Sequence, residues 1–185
     1  MLALTTEDGL ERGLVTSSWG KSVLTSKVYS GLTTKSSDQN QPDKHITIPL
    51  FPHGLKSLHP GVKELCFVHT HFKPKELDHL STTLLTDDDI ESFARSVLKT
   101  LIMIDQGGIH MLIRQHQNTY ELPKATALNA LHTTRQNANS VHEVMELTAK
   151  ELLNYHIGYY FNSWGKQTDK DSVKLDLITP GFAKK

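Results

Sequence analysis

The amino-acid sequence predicts an α/β (α+β) domain: a mixed β-sheet flanked by helices, with a helical C-terminal extension. Three observations carry that expectation. Apolar or alternating runs of strand length occur at 13–18, 21–32, 45–51 and 63–71. A run beginning at Thr86 places apolar residues at helical spacing behind a polar cap. Two more apolar runs then flank Gln106-Gly107-Gly108 as a hairpin would. The division that follows is a sheet-bearing domain over 1–124 and a helical extension and tail over 125–185.

Each element has its local reason. GLVTSS and KSVLTSKVYSGL read as two strands, joined tightly through Trp19-Gly20-Lys21. Residues 33–44 are polar with one proline and read as a loop. HITIPLF (45–51) alternates as a strand does, and PHGLKSLHPG after it is irregular. KELCFVHTH (63–71) is a short apolar strand ending in two histidines, and FKPKELDHLSTTLL (72–85) is a long connection. In TDDDIESFARSVLKT, Thr86 is a good N-cap and three aspartates fill the first turn. Ile90, Phe93, Ala94, Val97, Leu98 and Leu101 form the apolar stripe of that helix. Residues 125–163 are helical in pattern, with a stripe through Val141, Val144, Met145, Thr148, Leu152, His156, Tyr159 and Tyr160.

Bulk composition narrows the function. The chain has 185 residues, 37% of them hydrophobic and 22% charged, as expected of a globular protein. Twenty basic and twenty acidic residues balance to a net charge of zero, which gives no electrostatic footprint for nucleic acid or for a membrane surface. No apolar stretch approaches the roughly 18 residues of a membrane span, and residue 1 is not followed by a basic-then-apolar leader. A cytoplasmic location is the expectation. The lone cysteine, Cys66, excludes a disulfide framework and a cysteine-based zinc knuckle.

The chemistry centres on His69-Thr70-His71. On an extended strand alternate side chains share a face, so Leu65, Phe67, His69 and His71 lie together. Two imidazoles about 6–7 Å apart at Cα can reach one ion, and zinc suits imidazole and carboxylate donors. A catalytic zinc usually has a third protein ligand. Asp89 is the best candidate, because with Thr86 as N-cap it occupies N3, where the side chain turns back toward the cap. Asp78 and His79 in the connection rank below it. The other nine of the eleven histidines are scattered and read as ordinary surface or core residues.

This arrangement resembles the JAMM/MPN zinc metalloproteases, whose signature is a glutamate, then His-x-His, then Ser-x-x-Asp. ELCFVHTH is similar to the family's apolar strand running into His-x-His. Thr86-Asp87-Asp88-Asp89 is similar to Ser-x-x-Asp with threonine for serine, and LIMIDQGGIHMLIR resembles the strand pair after the helix. The resemblance covers roughly residues 10–115. It departs from the family at Phe72, where proline is usual, in the longer connection to the aspartate, and in the few residues before Glu11.

The resemblance implies an MPN/cytidine-deaminase-like fold, a Zn2+ ion on His69, His71 and Asp89, and cleavage of peptide or isopeptide bonds. It implies Glu11 as general base, with Glu7 as second choice, and a Thr86 hydroxyl that helps hold the developing oxyanion. The implied partner is a protein or peptide substrate, with ubiquitin-like conjugates as one class. Two other functions fit parts of the pattern. One is a non-catalytic MPN-like interaction module using Tyr155, Tyr159, Tyr160 and Trp164, which otherwise simply pack a helix on the sheet. The other is a different metal hydrolase such as a phosphoesterase.

Overall fold

The computed structural model describes residues 10–19, 22–26, 28–30, 63–71, 84–96, 98–115, 129, 132, 133, 135, 137–163 and 176–178. Among these, the elements run β1 (Arg12–Trp19), β2 (Ser22–Thr25), β3 (Tyr29–Ser30), β4 (Lys63–Thr70), α1 (Asp87–Arg95), β5 (Thr100–Ile104), β6 (Gly108–Arg114), α2 (Val141–Leu153), β7 (Ile157–Ser163) and β8 (Asp176–Leu177). The strands form one mixed sheet in the order β2-β1-β4-β5-β6-β7-β8, with β3 also paired to β1. The β4–β5 pair is parallel and its neighbours are antiparallel. The coarse expectation of a mixed sheet with helices therefore holds. The strand expected at 45–51 lies outside the described residues.

Three local readings are corrected. The single strand expected over 21–32 is two short ones, β2 and β3, which pair different parts of β1. The first helix is shorter than its apolar stripe. It ends at Ser96, whose N–H and hydroxyl both donate to the Phe93 carbonyl. The buried Arg114 guanidinium donates to the carbonyls of Phe93, Ala94 and Ser96, which satisfies the last turn. Leu101, counted on that stripe, lies instead in β5.

The third correction concerns the C-terminal part. The helix expected over 125–163 exists as α2, capped by Ser140, with Val144, Met145, Thr148 and Leu152 buried as the stripe requires. It stops before His156, which adopts a positive φ of 55°. Ile157–Ser163 then forms β7, paired along its whole length with β6. Tyr159 and Tyr160 are thus strand residues, and among the described residues the segment beyond 124 includes the strands β7 and β8 as well as α2, so it is not all-helical. Gly108 is needed at this junction, since a Cβ there would strike the Asn162 carbonyl and the Phe161 ring.

One face of the sheet carries the core. Val15, Leu65, Leu101, Met103, Leu112, Ile157 and Tyr159 pack with Ile90 and Phe93 of α1 and Val144, Met145, Ala149 and Leu152 of α2. Burial of this apolar surface is the main force holding the helices to the sheet. No described helix is long and apolar enough to cross a membrane. The parallel β4–α1–β5 unit sets the site: the C-terminal ends of β4 and β5 meet the N-terminus of α1, the usual location of sites in such units.

Candidate metal centre

His69 is the penultimate residue of β4 and His71 follows its end. The His71 N–H donates to the Ile104 carbonyl at 3.0 Å, which keeps the chain extended past the strand. Both imidazoles therefore stand on the core face and are buried. The Phe67 ring stacks on His69 with centroids 5.0 Å apart, limiting its rotation.

Asp89 arrives from α1. Thr86 is the N-cap, and the capping box expected from the sequence is complete. The Thr86 N–H donates to Asp89 Oδ2 at 2.8 Å, and the Asp89 N–H donates to Thr86 Oγ1 at 3.1 Å. The Thr86 hydroxyl also donates to Asp89 Oδ2 at 2.6 Å. This leaves the carboxylate facing the two histidines.

The three donor groups converge. His69 Nε2 lies 3.1 Å from His71 Nε2 and 3.1 Å from Asp89 Oδ1, and His71 Nε2 lies 3.3 Å from Asp89 Oδ2. Ligands of a tetrahedral ion with bonds of 2.0–2.2 Å are separated by about 3.3–3.6 Å. The two Asp89 distances run to different carboxylate oxygens, and one ligand atom from each residue lies within 4.8 Å of the others, so His69, His71 and Asp89 could hold a metal ion.

The electrostatics agree with this. Burial opposes charge on His71, but the hydrogen bond and charge of Asp89, with Glu11 and Asp105 behind them, raise its pKa overall. Burial likewise opposes ionisation of Asp89, yet hydrogen bonds and charge from both histidines hold its carboxyl well below the usual range. A proton is therefore stabilised among these groups. His69 Nδ1 is buried with no hydrogen-bond partner among the described residues.

Glu11 reaches the same place through the sheet. β1 and β4 are antiparallel with Gly13 opposite His69, and two residues further along that register Glu11 meets His71. Its Oε1 is 3.8 Å from His71 Nε2. Thr70, between the two histidines, locks this approach. Its Oγ1 accepts from the Arg12 N–H at 3.0 Å and donates to the Arg12 carbonyl at 3.3 Å.

No family model, curated protein or solved structure matches this chain. The site must be judged on its own geometry.

Of the residues singled out from the sequence, His69, His71, Asp89, Thr86 and Glu11 come together here. Glu7, Asp78 and His79 lie outside the described residues. The Thr86 hydroxyl proton is committed to Asp89, so its observed role is to hold that carboxylate. Sequence reasoning missed the locking hydroxyl of Thr70, although its place between the ligands was a signal. It also missed Asp105, which was read only as part of a hairpin. Asp105 is buried, its Oδ1 accepts the N–H groups of Gly107 and Gly108, and its charge bears on His71.

Proposed function

We propose that this chain is a zinc-dependent hydrolase that cleaves peptide or isopeptide bonds, as the JAMM/MPN metalloproteases it resembles do. The observation that supports this most is the convergence of His69 Nε2, His71 Nε2 and the Asp89 carboxylate at 3.1–3.3 Å, with the Glu11 carboxylate beside them. Two imidazoles and one carboxylate form a donor set that catalytic zinc takes, with one position left for water or substrate. Zinc bound there would lower the pKa of water toward neutrality and polarise a scissile carbonyl.

The chain's own residues supply the rest. Glu11, next to His71 and only partly exposed, would take a proton from the attacking water and deliver it to the leaving nitrogen. Asp89 and the histidines would orient the site, with Thr86 holding the Asp89 carboxylate through its hydroxyl and N–H. That hydroxyl would serve an oxyanion only after releasing Asp89. The substrate class in this reading is a protein or peptide, ubiquitin-like conjugates included, and the setting is cytoplasmic.

The test is hydrolysis by the zinc-loaded chain of an isopeptide-linked ubiquitin-like conjugate and of an unstructured peptide. Cleavage is expected, and Glu11→Gln should reduce it about 10²–10⁴-fold while zinc stays bound. Full activity in Glu11→Gln would remove Glu11 from the mechanism. A zinc-loaded chain that cleaves neither substrate would contradict the hydrolase reading and favour a binding module. Two metals per chain would favour a phosphoesterase.

A further inference from the structure

We propose that Arg135 is a positioning residue for the metal centre, holding the N-terminal turn of α1 where Asp89 meets the two histidines. The inference rests on the metal-binding reading above and extends the site to a part of the chain that the His-x-His and Thr-x-x-Asp pattern does not reach.

The capping box acts within α1 and its cap alone. The box orients the Asp89 carboxylate relative to its own helix. It does not determine where the start of the helix sits relative to β4. Helix α1 has nine residues, so its placement depends on what grips it. Ile90, Phe93 and Ala94 are buried beneath it, and Arg114 takes the carbonyls at its C-terminal end.

Arg135 grips the other end. One guanidinium nitrogen donates to Asp87 Oδ1 and the other to the Leu85 carbonyl, so the two contacts bracket the N-cap Thr86 on both sides. Asp87 is additionally paired with His132. An isolated exposed Arg–Asp pair contributes little. Here, however, the Arg135 side chain is only 11% exposed and its second donor serves the backbone of a buried residue. Burial lowers the Arg135 pKa, while the charge of Asp87 first, and then Tyr159 and Asp89, oppose that, so the guanidinium lies within electrostatic reach of the ligand carboxylate.

The planar two-donor fork is the essential property. A lysine keeps the charge but gathers its three freely rotating N–H donors on one nitrogen, without a planar fork. It can satisfy Asp87 or Leu85 without fixing the angle between them. Groups that orient metal ligands typically account for 10–100-fold in affinity.

The test titrates the full metal-free chain with Co2+ near neutral pH, reading the visible absorption band and the affinity by chelator competition. The unaltered chain, Arg135→Lys, Asp87→Asn and Asp88→Asn are compared, and thermal melting of each metal-free form reports folding. Arg135→Lys and Asp87→Asn should bind Co2+ 10–100-fold more weakly, with an altered band. Asp88→Asn, which shares the helix dipole but not the contact, should match the unaltered chain. Wild-type affinity and an unchanged band in both Arg135→Lys and Asp87→Asn would overturn the inference while leaving the metal centre standing. An unaltered chain that binds no Co2+ would overturn the metal-binding reading and this inference with it. Should Arg135→Lys fail to fold, Asp87→Asn decides alone, since its side chain is 39% exposed and tolerates the change.

Discussion

Two buried histidine neighbourhoods lie in one row across the sheet, and they differ in kind. His69 on β4 is opposite Met103 on β5, which is opposite His110 on β6. His110 is fully buried, with Nδ1 2.7 Å from the Tyr159 hydroxyl and Nε2 3.9 Å from Asp105 Oδ2. Its Nδ1 is hydrogen-bonded to the Tyr159 hydroxyl, whereas its Nε2 and Asp105 Oδ2 stand beyond hydrogen-bond distance of each other. At His69 and His71, two ring nitrogens and a carboxylate face one another across about the same gap. Burial is common to both places. Among the described residues, donor atoms converge in this way at the strand end, where they could hold a metal ion.

The contrast breaks most sharply under truncation. His69→Ala or His71→Ala should abolish metal binding, because two ligands make a poor site. His110→Ala should leave the stoichiometry unchanged and cost stability, about 1–3 kcal/mol for the stranded Tyr159 hydroxyl, plus the cavity left. Metal analysis paired with denaturant unfolding separates the two. Loss of metal in His110→Ala with the fold intact would erase the distinction.

A smaller effect sharpens the same comparison through pH. In the metal-free chain, Asp89 has a lowered pKa, so its contribution is present above the ordinary value of 3.8 and is lost as pH falls through the folded value. His71 has a raised pKa, so its contribution is present below 6.5 and is lost as pH rises through the folded value. The cluster therefore contributes most between about 3.8 and 6.5, and that contribution erodes on both sides. His71→Gln should flatten the alkaline limb of the melting temperature against pH. An unchanged alkaline limb in that variant would show that the His71–Asp89 pairing is not what stabilises the apo chain.

How much of this was legible in the sequence follows the range of the interactions. His69 and His71 were readable because strand alternation is a local property, and the strand continues through the His71–Ile104 hydrogen bond. Thr86 and Asp89 were readable because a capping box spans only four residues. Glu11 needed the β1–β4 register, which no local pattern specifies. Resemblance to a family supplied that residue where periodicity could not. Arg135 and Asp105 act from distant segments and left no local mark. The helix read through 163 failed because Tyr159 and Tyr160 continue the spacing of the α2 stripe by coincidence. The chain reverses at His156, and β6 offers Ile157–Ser163 a complete ladder, which outweighs the helical pattern.

Three side chains, from the end of one strand and the start of one helix, could hold a metal ion, proposed above to be zinc. The most direct measurement is elemental analysis of the chain after reconstitution at neutral pH and removal of loosely bound ions, with Asp89→Asn alongside. About one zinc per chain is expected for the unaltered protein and much less for Asp89→Asn. No transition metal in the unaltered chain would contradict it, and would leave His69, His71 and Asp89 as a buried hydrogen-bonded cluster.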